Sequence, residues 1–359
     1  MKKILVIQHK MIGDVLISSI LCDNLRKKYP NAEIHYLVND NTTPVLEGNT
    51  NIDKIIIFGK KEQSSTKELI KFSLNLRKEK YDLLIDAYSK LQSWIITLLS
   101  GAKTKISYKK IARNFLYDFN IPYAENPKTK LGLAIERRLS LLEPLNFDFE
   151  LISFPKLYVS ENEKLIANEL FEKYNVNKDR ETIMISILGS DMFKTYPLQY
   201  MSEIVDFIGQ NYNVNILFNY FPKQLVMAEE IYNNCSEETK SKIYFDIFGD
   251  SLREYIAIMN KCSLIIGNDG GAINMAKALN KGSYIIFSPQ IEKKIWATFE
   301  DGKKHTSVHL NDFKPELFIN KTESQLKEKS VEIYEEFKPE MIIPSLKEFL
   351  TINIDEFHS

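Results

Sequence analysis

Short apolar runs rich in β-branched residues alternate along this chain with longer stretches in which apolar residues return every three or four positions. The first pattern suits strands buried on both faces, and the second suits helices laid over them. Their alternation predicts an α/β fold, a parallel sheet covered on both sides. In the first half the runs fall at Ile4 to Gln8, Glu33 to Val38, Lys54 to Phe58, Asp82 to Asp86 and Thr104 to Ser107, with helices near 14 to 28, 65 to 79 and 90 to 100. Around 144 to 160 the period fails near Pro144 and Pro155, and a helix is predicted after Ser160, a residue suited to capping free N–H groups. The runs resume at Thr182 to Leu188, Asn215 to Phe218, Lys242 to Phe245, Ser263 to Gly267 and Ser283 to Phe287. Two doubly wound domains are therefore expected. A helical tail from about 322 to 350 is expected to pack back across the first of them. Ligands of open α/β sheets bind beyond the carboxyl ends of the strands, so two such domains facing across a cleft would place those ends on opposite walls of one site.

Length supports two domains, since 359 residues exceed what one hydrophobic core usually holds. With 44% hydrophobic and 26% charged residues, neither a disordered chain nor a membrane-spanning bundle fits. Lys and Arg total 47 against 48 Asp and Glu, so the chain as a whole has no electrostatic attraction for nucleic acid, which is excluded as the main partner. Cys22, Cys235 and Cys262 form no Cys-x-x-Cys, so neither a disulfide framework nor a zinc site is encoded, and a reducing compartment fits. The apolar run at the N-terminus is too short for a signal-peptide core. Residues Trp94 to Leu99 and their neighbours fall short of the roughly 20 that span a bilayer, so a cytoplasmic protein is expected, with any membrane contact peripheral.

Three loops carry candidate chemistry. The turn after the first run, His9 to Leu16, lacks the Gly-x-Gly-x-x-Gly that a dinucleotide needs, which disfavours a nicotinamide dehydrogenase. It supplies Gly13 and then Asp14 at the start of a helix, where the carboxylate is either a general base or a helix cap. The loop Leu188 to Pro197 offers Gly189, Ser190 and the mobile cation Lys194, a set able to hold a phosphate, although a lone lysine in a loop is more often simply solvated. The segment Ile266 to Leu279 ends an apolar strand at Asp269, turns through Gly270 and Gly271, and opens a small-residue helix whose free N–H groups suit a diphosphate. His305 and His309 share a strand face without a third ligand, and no Asp-x-Asp is present, so no metal and no cofactor are expected. Lys103, Lys105, Lys109, Lys110 and Arg113 form a basic cluster suited to an anionic acceptor or a membrane surface, although such runs are more often solvated loops.

Taken together, Ile12-Gly13-Asp14-Val15-Leu16, Tyr81 to Asp86, the Gly189-Ser190 loop with Lys194 and Tyr196-Pro197, and Ser251-Leu252-Arg253-Glu254 leading into Asn268-Asp269-Gly270-Gly271 resemble glycosyltransferase family nine, the lipopolysaccharide heptosyltransferases of GT-B fold. The resemblance implies two Rossmann-like domains: residues 1–155 for the acceptor, 156–325 for the nucleotide sugar, and a 326–359 tail returning to the first. It also implies inverting, metal-independent transfer of a heptose-like sugar from a nucleotide diphosphate donor such as ADP-heptose. The acceptor would be a lipopolysaccharide core, another cell-envelope glycolipid or a polysaccharide, reached at the cytoplasmic face of the inner membrane. By this likeness Asp14 and Lys194 are the catalytic residues. Gly189, Ser190, Lys194, Asp269, Gly270, Gly271 and Asn274 take the donor, and Gly13, Lys109 and Arg113 lie on the acceptor side. This chain departs from the family's pattern with Gly270 for a threonine, Asn274 for a histidine, and Lys223 and Gln224 where a glutamate often meets the ribose. A nucleotide-sugar epimerase of the same build and a non-catalytic nucleotide-sugar-binding subunit are the competing readings.

Overall fold

The computed structural model describes residues 1–354 and divides the chain into two compact units, Met1–Tyr158 and a second that begins at Val159. In the first unit, strands β1 (Lys3–Ile7), β2 (Glu33–Asn39), β3 (Lys54–Phe58), β4 (Leu83–Asp86), β5 (Thr104–Tyr108) and β6 (Phe119–Ile121) form one parallel sheet in the order β3-β2-β1-β4-β5-β6. Its main helices are α1 (Ile12–Lys28), α2 (Thr66–Arg77), α3 (Leu91–Leu99) and α4 (Leu133–Ser140). The chain runs outward from β1 to β3, then returns to pair β4 against β1, with Ile7 beside Asp86. The strand order therefore reverses between β1 and β4, and the loops leaving those two strands open onto the place where open sheets bind ligands. Helix α1 crosses the middle of this sheet and is buried from Val15 to Leu25. Asn24 on it holds both the carbonyl and the N–H of Ile152, at 2.8 Å each, which ties the end of the unit to its centre.

The second unit has strands β7 (Glu181–Ser186), β8 (Val214–Asn219), β9 (Leu264–Asn268), β10 (Gly282–Phe287) and β11 (His305–His309), all parallel, in the order β11-β10-β9-β7-β8. Its main helices are α5 (Glu161–Lys173), α6 (Leu198–Asn211), α7 (Leu225–Asn234), α8 (Leu252–Lys261), α9 (Gly271–Ala278) and α10 (Pro339–Asn353). Ser160 caps α5 together with Glu163, which also receives Arg253 at 2.6 Å, and this pairing draws the Glu163 carboxyl down to about 2. The order here reverses between β7 and β9, where Ser186 lies beside Gly267.

Three features differ from the sequence expectation. Residues Lys242 to Phe245 are not a strand: they touch β8 only through a bridge between Ile216 and Ile243, and the chain then turns away. The apolar character of this run serves a cluster instead, in which Phe245 packs on Phe218, Tyr220 and Tyr232. The edge strand β6 carries too short an apolar signal to be predicted. The tail, expected to return to the first domain, instead inserts Ile342, Leu346, Phe349 and Leu350 into the core of the second unit, where α10 packs on α6 and β10.

Candidate functional site

In the first unit, Asp14 occupies the third position of α1, just beyond the carboxyl end of β1. The capping alternative is not what the structure shows. Met11 is the N-cap residue and its side chain makes no capping hydrogen bond, while the Asp14 carboxylate is engaged elsewhere. Its Oδ1 accepts from Arg138 Nη2 at 2.5 Å, and the other carboxylate oxygen receives no hydrogen bond from a described residue. Arg138 is buried on α4 and also donates to Ser18 Oγ and to the Ala134 carbonyl, both at 3.2 Å. Burial alone would weaken its hold on the proton, but the charge of Asp14 outweighs this and the guanidinium sits above its ordinary value. A carboxylate fixed at one oxygen and open at the other can accept a proton from a substrate hydroxyl. Gly13 is buried beside it in the same turn.

Two further groups flank this loop. Tyr88, just beyond β4, has its phenol pushed up by burial and then by the charges of Asp14 and Asp86, so these groups share one neighbourhood. His9 is buried, stacks on Phe58 with ring centroids 4.4 Å apart and lies 4.7 Å from Tyr88, and neither ring nitrogen has a hydrogen-bond partner among the described residues. Burial, with Lys10 adding to it, lowers this imidazole to about 3. It is therefore neutral at physiological pH, with one donor and one acceptor unused. By contrast, Lys109 and Arg113 lie on the loop after β5. Lys109 is exposed and Arg113 lies over the Trp94 ring at 3.2 Å, and no hydrogen bond or ion pair among the described residues joins either to Asp14.

In the second unit the loops after β7 and β9 meet at the reversal point. Asn268 is the joint: its side-chain carbonyl accepts from Tyr196 N–H at 2.7 Å, while its amide donates to the Ser186 carbonyl at 2.9 Å. The loop carrying Gly189, Ser190 and Lys194 is fixed from other sides as well. Gln224 donates to the Gly189 carbonyl at 2.8 Å, and Ser288 and Ser330 hydroxyls donate to the Phe193 carbonyl at 2.9 and 2.7 Å. Gly189 is required here, because a Cβ would collide with the Lys194 carbonyl. Ser190 is exposed, with its hydroxyl 3.2 Å from Asp191.

Asp269 follows β9, and burial raises its carboxyl; Lys194, Lys277 and the Gly270 N–H oppose that rise, which places Lys194 within electrostatic reach of Asp269. The structure thus gathers Gly189, Ser190, Lys194 and Asp269 at one end of the sheet, with Gly270 as N-cap of α9 and Gly271 as its first residue. Asn274 lies in the opening turn of this helix, and its side chain makes no hydrogen bond to a described residue. Neither Gly270 nor Gly271 has a φ in the left-handed region; that conformation falls on Gly267, within β9, whose φ of +124° and closeness to the Ser186 carbonyl exclude a side chain. Gly270 is extended at φ 171°, and a Cβ there would meet nothing within 4 Å.

Three groups escaped the sequence reading. Arg138 and its neighbour Arg137 read as a charged dipeptide on a short amphipathic helix, and nothing local marks one of them as the partner of a carboxylate 124 positions away. Lys277 is buried on α9, donating to the Thr298 carbonyl at 2.6 Å, with burial pulling its ammonium down to about 8 against the charges of Glu300, Asp269 and Asp301. His9 carried no local signal. Conversely, Arg253 of the Ser251-Leu252-Arg253-Glu254 motif is held by Glu163, and Ser251 caps α8, so both serve the fold.

Comparison with known proteins gives a consistent picture. The family model for Glycosyltransferase family 9 (heptosyltransferase) matches residues 69–325, a span that includes Lys194 and Asp269 but not Asp14. The chain is 27% identical over 334 residues to lipopolysaccharide heptosyltransferase 1 of Campylobacter coli, covering 86% of this chain and 92% of that protein. It is 25% identical over 272 residues to lipopolysaccharide heptosyltransferase 3 of Escherichia coli, covering 75% and 78%. The crystal structure of a family 9 glycosyl transferase from Veillonella parvula matches with a TM-score of 0.75 at 18% identity over 97% of both chains. The structure of E. coli heptosyltransferase WaaC with ADP matches at 0.69 and 12% identity, over 96% of this chain and 99% of that one. At such identities the structural matches speak for the fold, which is GT-B.

Proposed function

This chain belongs to glycosyltransferase family 9, the heptosyltransferases, and on that premise we propose that it transfers a heptose from ADP-heptose to the core of a lipopolysaccharide precursor, with inversion and without a metal ion. The observation that carries the mechanism is the setting of Asp14: a single carboxylate at the reversal point of its sheet, held at one oxygen by Arg138 and open at the other. Removal of a proton from an acceptor hydroxyl by Asp14 lets the oxygen attack the anomeric carbon from the face opposite the leaving diphosphate. The new glycosidic bond forms as the bond to the diphosphate breaks, and the configuration inverts. Lys194, Ser190 and the free N–H groups at the start of α9 then neutralise the charge that gathers on the departing diphosphate. ADP-heptose and a lipopolysaccharide acceptor are supported by the names of the relatives and by the ADP in a matching structure. Peripheral contact with the membrane that holds the acceptor belongs to the same reading.

Calorimetric titration of the purified protein with ADP, UDP, GDP and their sugar conjugates, followed by transfer assays on Asp14→Asn, tests this. We expect ADP-heptose to bind both wild type and Asp14→Asn, and the variant to lose transfer by about 10²-fold or more. Turnover of the donor without any acceptor would support an epimerase instead, and binding without transfer to any acceptor would support a carrier subunit.

A further inference from the structure

Between Asp86 and Asp118 the chain carries Lys90, Lys103, Lys105, Lys109, Lys110 and Arg113 and not one carboxylate, although its overall formal charge is -1. The flanking aspartates are already committed. Asp86 is buried and accepts from Ser89, Ser93 and Tyr117, and Asp118 accepts from the Lys105 N–H at 2.8 Å. Helix α3 sets Leu91, Trp94, Ile95 and Leu98 on one face, and its two ends, Leu91 and Leu98, are 65% and 57% exposed. Stacking of Arg113 on Trp94 brings the loop after β5 against this helix, and that loop turns Ile111 and Phe115 outward, 95% and 81% exposed. Lys110 lies within 6.0 Å of the same ring and is lowered by burial and by repulsion from Lys90 and Arg113, against the opposing charge of the buried Asp86, so three cations crowd one another around a single buried carboxylate.

We propose that α3 and the loop after β5 form a docking face for an anionic lipid bilayer. Aliphatic tips and a phenyl ring enter the headgroup boundary, and the crowded cations meet lipid phosphates. A nucleic acid fits less well, because three of the four exposed apolar residues are aliphatic and offer no ring on which a base can stack. No helix among the described residues is long and apolar enough to cross a membrane. A face of this kind would bring the enzyme to a lipid-borne acceptor, and in that purpose the inference rests on the function proposed above.

Flotation of the full chain with phosphatidylcholine vesicles, with and without phosphatidylglycerol, reads the docking face without reference to catalysis. Wild type should float with the anionic vesicles and lose this as salt rises. Lys90→Ala with Arg113→Ala should weaken partition by about 25-fold, at about fivefold for each cation near an anionic surface. Ile111→Asp with Phe115→Asp should weaken it at least tenfold, with an unchanged melting temperature because both side chains are exposed. That second variant should also keep its transfer to a water-soluble acceptor fragment while losing transfer to acceptor embedded in vesicles. Wild type that stays out of anionic vesicles, or variants that float as it does, overturn the docking face. Transfer to neither acceptor by wild type overturns the proposed acceptor alone, since flotation decides the docking face by itself.

Discussion

Replacing Asp14 by alanine strips a buried guanidinium of its only carboxylate partner among the described residues, leaving it Ser18 Oγ and the Ala134 carbonyl. With charge centres about 4 Å apart and an effective dielectric near 20, the lost attraction is about 4 kcal/mol. Asp14 is 22% exposed, so solvent screens part of that attraction, and the expected loss is about 3 kcal/mol, the lower end for breaking a buried pair from one side. For a domain of this size that corresponds to a fall in the first unit's melting temperature of roughly 6 to 12 °C. Arg138→Met should cost less, about 1 to 2 kcal/mol, because the remaining carboxylate reaches water. The double variant removes both charges and should recover about 2 kcal/mol relative to the sum of the singles.

Activity should not follow stability. Asp14→Ala should lose turnover by about 10² to 10⁴-fold, and the double variant should remain equally inactive although it regains stability. Scanning calorimetry on the four proteins, paired with turnover at a temperature where all are folded, separates the two roles. Turnover that returns in the double variant along with its stability would show that Asp14 matters only for holding α1 to α4, and the reasoning about a general base would fail. Additive losses in the cycle would show that the pair contributes nothing to the fold.

Three further outcomes concern the second unit. Gly270→Thr should fold with stability within about 0.5 kcal/mol of wild type by urea titration, since space is open there, and its added hydroxyl should tighten donor binding by about fivefold, the worth of one hydrogen bond. Gly267→Ala, forced to φ +124° against the Ser186 carbonyl, should lose at least 2 kcal/mol in the same titration. Lys277 is held near 8 in the fold against about 10.5 when unfolded, so between those pH values the unfolded chain binds more protons and stability rises with pH. Comparing wild type with Lys277→Met from pH 7 to 11, this rise, on the order of 3 kcal/mol, should be absent from the variant, and parallel curves would show that Lys277 does not titrate in that window.

The parallel sheets were legible because strands buried on both faces leave continuous apolar runs, as at Ile4 to Gln8 and Ser283 to Phe287. The same signal misled at Lys242 to Phe245, where the apolar residues are buried against Phe218, Tyr220 and Tyr232 rather than in a ladder: burial shows in a sequence, but hydrogen-bond pairing does not. Local reading also left cap and general base both open for Asp14, because a helix start is visible from four residues while its partner Arg138 lies 124 positions away. The tail's destination was hidden for a related reason. An amphipathic helix announces that it has an apolar face, but not which core will receive it.

The departures from the family's pattern now separate into two kinds. Gln224 stands near the place of a ribose-binding glutamate, yet its amide holds the Gly189 carbonyl and its oxygen accepts from the Phe221 N–H, so both ends serve the loop that carries Lys194. A change there reshapes the donor loop as well as its contacts. Gly270 and Asn274 are different. The backbone at 270 is extended and its surroundings are empty, and the Asn274 side chain is tied to no described neighbour, so the fold demands neither residue. If the proposed donor site holds, Gly270→Thr changes donor recognition and leaves the architecture alone. By the same logic, a shift in donor recognition on restoring threonine at 270 would trace to the first turn of α9, while the loop from Gly189 to Tyr196, fastened by Asn268, Gln224, Ser288 and Ser330, is left as it stands.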